Sequence, residues 1–240
     1  MTSHRARGIG VRAVTSHRFA GLRLVVPSGV YAPRSDTALL ADSLPDVSGA
    51  EVLELCSGSG ALALTAVARG AARVVAVDRS ARAVVAARVN ARLNRLWPVD
   101  VRRGDLLEAL QPQERFDVII ANPPYLPAEA DDDPRWDAGA DGRGVLDRIV
   151  VGAPLRLRPG GRLALVQSGF AGVEETVSAL ERAGLDVAAP VERRDSLGPI
   201  AEARRAHLER RGVLAPGAAE ELMAVVVATR PVAGSKAAAA

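Results

Sequence analysis

Short apolar runs recur along the chain, separated by stretches with helical spacing. Residues 52–55, 73–77, 99–102, 116–121, 162–167, 185–191 and 222–229 read as strands. Residues 61–69, 80–94, 143–156, 173–183 and 199–211 read as helices, with Ser80 as an N-cap and the last one heavily charged. Upstream lie a brief apolar run at 22–26, a Pro27-Ser28-Gly29 turn, and a helix from Asp36-Thr37 to about Leu44, with Ser35 or Asp36 as its cap. Strands alternating with helices imply an α/β, doubly wound and mostly parallel sheet with right-handed crossovers. Such sheets bind ligands at the carboxyl ends of their strands. Gly58, Asp78, Asp105 and Asn122 all fall there.

Composition narrows the picture. Aromatic residues make up 3% of the chain, so the core is built from Ala, Val and Leu, as suits a sheet covered on both faces. No apolar run approaches the ~18 residues of a membrane span. The basic N-terminus lacks the apolar stretch of a secretory signal, and the single cysteine, Cys56, fits a reducing compartment, so a cytoplasmic protein is expected. Three scattered histidines and one cysteine give no metal cluster. Arg5, Arg7, Arg12, Arg18, Arg23 and Arg34 meet no acid within residues 1–34; against a total of +3, the rest of the chain is net −3. The basic balance thus belongs to a terminal arm. Residues 1–20 are expected to be a flexible extension, 21–231 one domain, and 232–240 a disordered tail.

Gly58-Ser59-Gly60-Ala61-Leu62-Ala63 lies between a strand and a helix, with Asp78 twenty residues after Gly58. The pattern fits a dinucleotide site, and equally an S-adenosylmethionine site, where glycines admit the ligand and a carboxylate grips ribose hydroxyls. Glu54 separates the two. It interrupts a strand that should be buried, and a carboxylate there needs a partner. A pyrophosphate would repel it; the ammonium and sulfonium of S-adenosylmethionine would stabilise it. Asp105, after the third strand of the pattern, suits an adenine amino group. Ser57, Arg79 and Leu106 flank these positions and complete the candidate cofactor set.

The strand 116–121 runs into Asn122-Pro123-Pro124-Tyr125. Two prolines stop the strand and fix φ. They leave the Asn122 side-chain oxygen and the Pro123 carbonyl as acceptors for a nitrogen bearing two hydrogens, with Tyr125 as a flat face for a planar amide or base. Amide and exocyclic amine nitrogens are poor nucleophiles because the lone pair is delocalised. Accepting both hydrogens favours pyramidalisation and aims the lone pair at a methyl donor.

These motifs resemble the HemK family of protein-glutamine methyltransferases, within the class I adenosylmethionine fold. The resemblance covers about residues 30–230 and rests on Asn122-Pro123-Pro124-Tyr125, on Glu54-Leu55-Cys56-Ser57-Gly58-Ser59-Gly60, and on Val30-Tyr31-Ala32-Pro33-Arg34-Ser35-Asp36-Thr37, which is similar to the short archaeal and eukaryotic branch. It implies a seven-stranded sheet whose last strand is antiparallel. It also implies cofactor contacts from Thr37, Glu54, Gly58, Gly60, Asp78 and Asp105, and target contacts from Asn122, Pro123 and Tyr125. The implied substrate is the glutamine of the Gly-Gly-Gln loop in a class I release factor. Cys56 departs from the family's usual glycine. The roughly 30 residues before the core are too few for the helical docking domain of the bacterial branch. The short eukaryotic enzymes use a small zinc-binding activator subunit.

Asn-Pro-Pro-Tyr is shared with adenine-N6 methyltransferases acting on RNA or DNA, so that alternative stays open. The segment 129–141 argues for protein: Glu129, Asp131, Asp132, Asp133, Asp137 and Asp141 face only Arg135, which repels phosphates and attracts a basic loop. The arginine-rich arm and the arginines of 193–211 keep nucleic acid in play.

Overall fold

The computed structural model describes residues 14–128 and 138–232. The acidic segment from Glu129 to Asp137 and the tail 233–240 lie outside them, as does the arm before Val14. Val14–Phe19 is not flexible extension, however. It forms β1, paired antiparallel with β2 (Leu22–Pro27) through a tight turn with Ala20 and Gly21 both left-handed. The sequence hides β1 because its side chains are mostly exposed; backbone pairing to β2 holds it.

A larger sheet forms from β3 (Glu51–Leu55), β4 (Arg73–Asp78), β5 (Val99–Arg103), β6 (Phe116–Ala121), β7 (Leu157–Ser168), β8 (Asp186–Val187), β9 (Val191–Ser196) and β10 (Glu220–Thr229). Its order is β5-β4-β3-β6-β7-β10-β8, with β9 also on β10. The strands β5, β4, β3, β6 and β7 are parallel, while β10 runs antiparallel to β7. The expected strand 185–191 is two strands: β8 pairs with Ala228 and Thr229, β9 with residues 220–225 of β10. Pro190, which has no N–H to give a ladder, sits in the gap. Among the described residues this sheet therefore has eight strands where the resemblance implied seven.

Helices cover both faces. α1 (Ser35–Asp42), α2 (Ala61–Ala68) and α3 (Ala81–Leu93) pack one side through Leu39, Leu62, Val84 and Ala87; α4 (Gly144–Gly152) and α5 (Val173–Arg182) pack the other through Leu146, Ile149 and Leu180. The N-cap of α1 is Arg34, so Ser35 and Asp36 are inside the first turn and not its caps. The expected helix 143–156 is α4 followed by a short 3₁₀ turn at Ala153–Arg156 containing Pro154. The charged helix 199–211 breaks at Arg204 into α6 (Pro199–Ala203) and α7 (Arg205–Arg210). Among the described residues no helix is long and apolar enough to cross a membrane.

The hairpin is fastened to the body. Leu22, Leu24 and Val26, alternating along β2, pack on Ala83 and Ala86 of α3 and Leu64 of α2. The outer backbone edge of β2 is read by two asparagines of the α3 end. Asn94 bonds Arg23 N–H and carbonyl at 2.9 and 2.7 Å, and fully buried Asn90 bonds those of Val25 at 2.7 and 3.1 Å. The same Asn90 Nδ2 also donates to the Ser59 carbonyl at 2.9 Å.

Candidate functional site

The direction of strand succession reverses between β4 and β6, on either side of β3, and a cavity of about 190 Å³ opens at the carboxyl ends there. Its wall includes Thr37, Glu54, Ser57, Gly58, Asp78, Arg79, Asn122, Pro123, Pro124 and Tyr125. Gly60 lies just behind, opening α2 at φ +79°; a Cβ there would sit 3.0 Å from the Ala87 Cβ, so the loop lies directly on α3. Asp105 and Leu106 are not part of this wall. The half-exposed Asp105 accepts a hydrogen bond from Arg148 at 2.9 Å, while Leu106 is buried in the apolar layer under α4. Their positions differ from expectation because an ion pair claims one and the core claims the other.

On the sheet side, Glu54 is 2% exposed and accepts the Ala63 N–H at 3.1 Å. Burial, aided by nearby Asp78, pushes its pKa up to about 8. Asp78 accepts the N–H groups of Gly58 and Ser80, both at 2.8 Å; burial also raises its pKa, and those two bonds oppose the rise. Cys56 adopts φ +59°. That left-handed backbone costs a non-glycine residue about 1–2 kcal/mol, a cost that glycine would not carry. The Cys56 thiol packs against the core layer, and burial holds its pKa above the usual thiol range.

On the other side stands Asp36, 4% exposed. Its Oδ2 accepts the hydroxyls of Tyr31 (2.8 Å) and Tyr125 (3.0 Å) and the Asn122 Nδ2 (3.0 Å). Its Oδ1 accepts the Thr37 N–H (2.6 Å) and hydroxyl (3.1 Å). Burial, then the Asp36 charge, holds both tyrosines well above the usual phenol range. The Asn122 Nδ2 also reaches the Thr37 Oγ1 at 3.2 Å. Asn122 and Tyr125 are therefore joined through Asp36, an unforeseen centre, and Pro123 lines the same cavity.

Two further residues escaped the sequence reading. Glu221, buried at the start of β10, lines the cavity and accepts Ser168 Oγ (3.0 Å) and Gly198 N–H (3.1 Å); burial raises its pKa. Arg204, within the heavily charged helix expected at 199–211, is 8% exposed and donates to the carbonyls of Leu126 and Pro127 at 3.1 and 3.2 Å, just past the Asn-Pro-Pro-Tyr turn. It sits where the expected helix breaks between α6 and α7, and nothing local in the sequence marks it. Among the described residues, no group of three or more His, Cys, Asp or Glu side chains could hold a metal ion.

A three-layer α/β sandwich with this strand order, an acidic cofactor wall and a proline-fixed Asn turn defines a class I methyltransferase architecture. The chain belongs to the methyltransferase small domain family, which matches residues 21–188. It is 36% identical over 173 residues to a Methanocaldococcus jannaschii protein provisionally named a protein N5-glutamine methyltransferase, covering 70% of this chain and 86% of that one. It is 39% identical over 182 residues to the release factor glutamine methyltransferase of Bordetella pertussis, covering 70% and 67%. In fold it is similar to the E. cuniculi Mtq2–Trm112 complex, described as methylating the eRF1 termination factor, at a TM-score of 0.58 and 24% identity over 84% of this chain and 98% of that one.

The cofactor is S-adenosylmethionine, and the cavity fits it. Glu54 is a buried carboxylate whose bond to Ala63 brings no positive charge, which is what an ammonium would supply. Ser57 Oγ is buried with no hydrogen-bond partner among the described residues. Close packing of Gly60 on Ala87 keeps the loop backbone low, so that a ligand can lie across it.

Proposed function

We infer that the chain methylates a glutamine side-chain amide of a protein, the Gly-Gly-Gln loop of a class I release factor. One observation carries the chemistry. Both hydrogens of Asn122 Nδ2 are engaged by Asp36 and Thr37, so its Oδ1 is the polar atom left to face the cavity. An acceptor there, beside the Pro123 carbonyl, suits a nitrogen that must surrender its planarity. The glutamine and the release factor come from the relatives' names.

When bound, S-adenosylmethionine supplies an electrophilic methyl group on a cationic sulfur. Glu54 would hold the ammonium of its amino-acid end and Asp78 the ribose hydroxyls, with Ser57, Gly58, Arg79 and Thr37 on the cavity wall around it and Gly60 behind them. Asn122 Oδ1 and the Pro123 carbonyl accept the two hydrogens of the target amide and stabilise the positive charge that grows on its nitrogen. Pro124 keeps the turn rigid, and Tyr125 covers the amide plane. Catalysis by this chain is thus mostly orientation and charge placement.

Adenine methylation is the second reading, since the same turn would accept an exocyclic amine. The cavity wall disfavours it: Asp36, Asp78 and Glu221 outnumber Arg34 and Arg79 even without Glu54, which burial keeps protonated in the free protein, and an acidic wall repels a phosphate backbone. The test is transfer of labelled methyl to a class I release factor and, separately, to adenine-containing RNA and DNA, each with and without a small activator subunit. Label on the Gly-Gly-Gln glutamine is expected. Label on the oligonucleotides with none on the protein overturns the reading.

A further inference from the structure

We propose that Asp36 is the positioning residue of the site, fixing the Asn122 amide with its oxygen toward the substrate and increasing the negative charge on that oxygen. The proposal rests on the methyl-transfer role given to Asn122 above and adds a residue to it.

The orientation follows from donor and acceptor counting. A carboxylate only accepts. Asn122 must therefore present its NH₂ to Asp36 Oδ2, 3.0 Å away. Thr37 Oγ1 spends its own hydrogen on Asp36 Oδ1 and so is an acceptor for the second Nδ2 hydrogen. Neither bond can be made with the amide reversed. The hydrogen bond from Nδ2 to an anion polarises the amide, drawing electron density toward Oδ1, where the substrate's N–H groups arrive. The carboxylate is itself immobilised by the hydroxyls of Tyr31 and Tyr125 and by the Thr37 backbone N–H. Tyr125, meant to cover the substrate, is thus pinned by the same oxygen that aims Asn122.

Replacing the charge shows how specific this is. In Asp36→Asn, the Thr37 N–H sits 2.6 Å from the Oδ1 position and cannot become an acceptor, so the new amide must place its oxygen there. Its NH₂ then occupies the Oδ2 position and confronts the NH₂ of Asn122. Asn122 turns over and offers the cavity a donor in place of an acceptor. The exchanged pair, Asp36→Asn with Asn122→Asp, restores a donor facing an acceptor. It also leaves one oxygen of the introduced carboxylate toward the cavity.

The experiment measures kcat, cofactor Kd and melting temperature for the two single variants and the exchanged pair on the verified substrate. Asp36→Asn is expected to lower kcat by about 10–10², the cost of a misaimed group, with cofactor Kd within a few-fold. The exchanged pair is expected to regain at least about tenfold over either single variant, a rescue that a merely structural Asp36 would not give. Wild-type kcat in Asp36→Asn, or an exchanged pair no better than the singles while all melt alike, overturns the proposal. Should Asp36→Asn fail to fold, the wild type decides. With ¹⁵N-labelled asparagine, the Asn122 side-chain protons must exchange more slowly than those of an exposed asparagine; equal rates overturn the proposal. If wild type methylates neither protein nor nucleic acid, the functional reading falls, while this exchange measurement still judges Asp36.

Discussion

Glu54 and Asp36 are both buried carboxylates on the wall of one cavity, and the fold supplies them unequally. Asp36 receives five hydrogen bonds, three on one oxygen and two on the other. Glu54 receives two backbone N–H groups at the start of α2, those of Ala63 and Leu62, and burial still pushes its pKa to about 8. A carboxylate whose lone pairs are filled by its own chain belongs to the frame that aims other groups. One that is buried and underprovided is held in reserve for a cation from outside. The cost of keeping Glu54 in that state falls on the stability of the free protein, and cofactor binding offsets it.

The largest effect is expected where the frame ends. Asn122→Ala removes the atom that Asp36 aims, and kcat should fall by about 10²–10³ while cofactor Kd stays within a few-fold. Steady-state kinetics with calorimetry checks this; loss of cofactor binding would move Asn122 to the cofactor side. Next comes a contrast between the carboxylates. Glu54→Gln should weaken cofactor binding by about 10–100-fold, the worth of one charge-assisted bond, without destabilising the free protein. Asp36→Ala, which strands the Tyr31, Tyr125 and Asn122 donors, should cost the free protein about 2 kcal/mol or more in denaturant unfolding. Equal stability losses would erase the distinction.

The smallest effect is a fraction of a proton. The folded pKa of Glu54 is raised from 4.5 to about 8, so between those pH values the free protein holds a proton that the unfolded chain has lost. Stability of the free protein should therefore decline as pH rises through that window. An ammonium beside Glu54 lowers its pKa again. Cofactor binding at pH 7 should release protons, measured by calorimetry in buffers of different ionisation enthalpy, and the release should fade above about pH 9. Persistence of the release in Glu54→Gln would assign it to another group.

Much of this was legible in the chain itself. Strands β3, β4, β5, β6 and β10 and helices α2, α3 and α5 follow from local apolar runs, caps and glycine turns, and Glu54 announced itself as a charge within an apolar strand. The role of Asp36 did not, because its sequence signal, an acid at a helix start, is that of a cap. Its meaning comes from Asn122 and Tyr125, 86 and 89 residues away. Arg204 was concealed likewise: in a run of arginines nothing local marks the one that turns inward to Leu126 and Pro127. The split of 185–191 was more accessible, since Pro190 carries the reason. The sequence could not foresee, however, that Asp105, a turn acid at the right strand end, pairs with Arg148, 43 residues away.

Asn90 ties the backbone of Val25 in the hairpin to the Ser59 carbonyl in the glycine loop. Breaking one end of that bridge strands a buried amide at the other, so the two segments share an opening event and a protection factor. The Val25 amide, joined to the loop through Asn90, becomes a remote gauge of the ligand: its hydrogen exchange should slow when S-adenosylmethionine settles on the loop. A chain trimmed past Val25 loses more than a surface hairpin, because Asn90, which holds the Ser59 carbonyl of the loop, is then left without its Val25 partners.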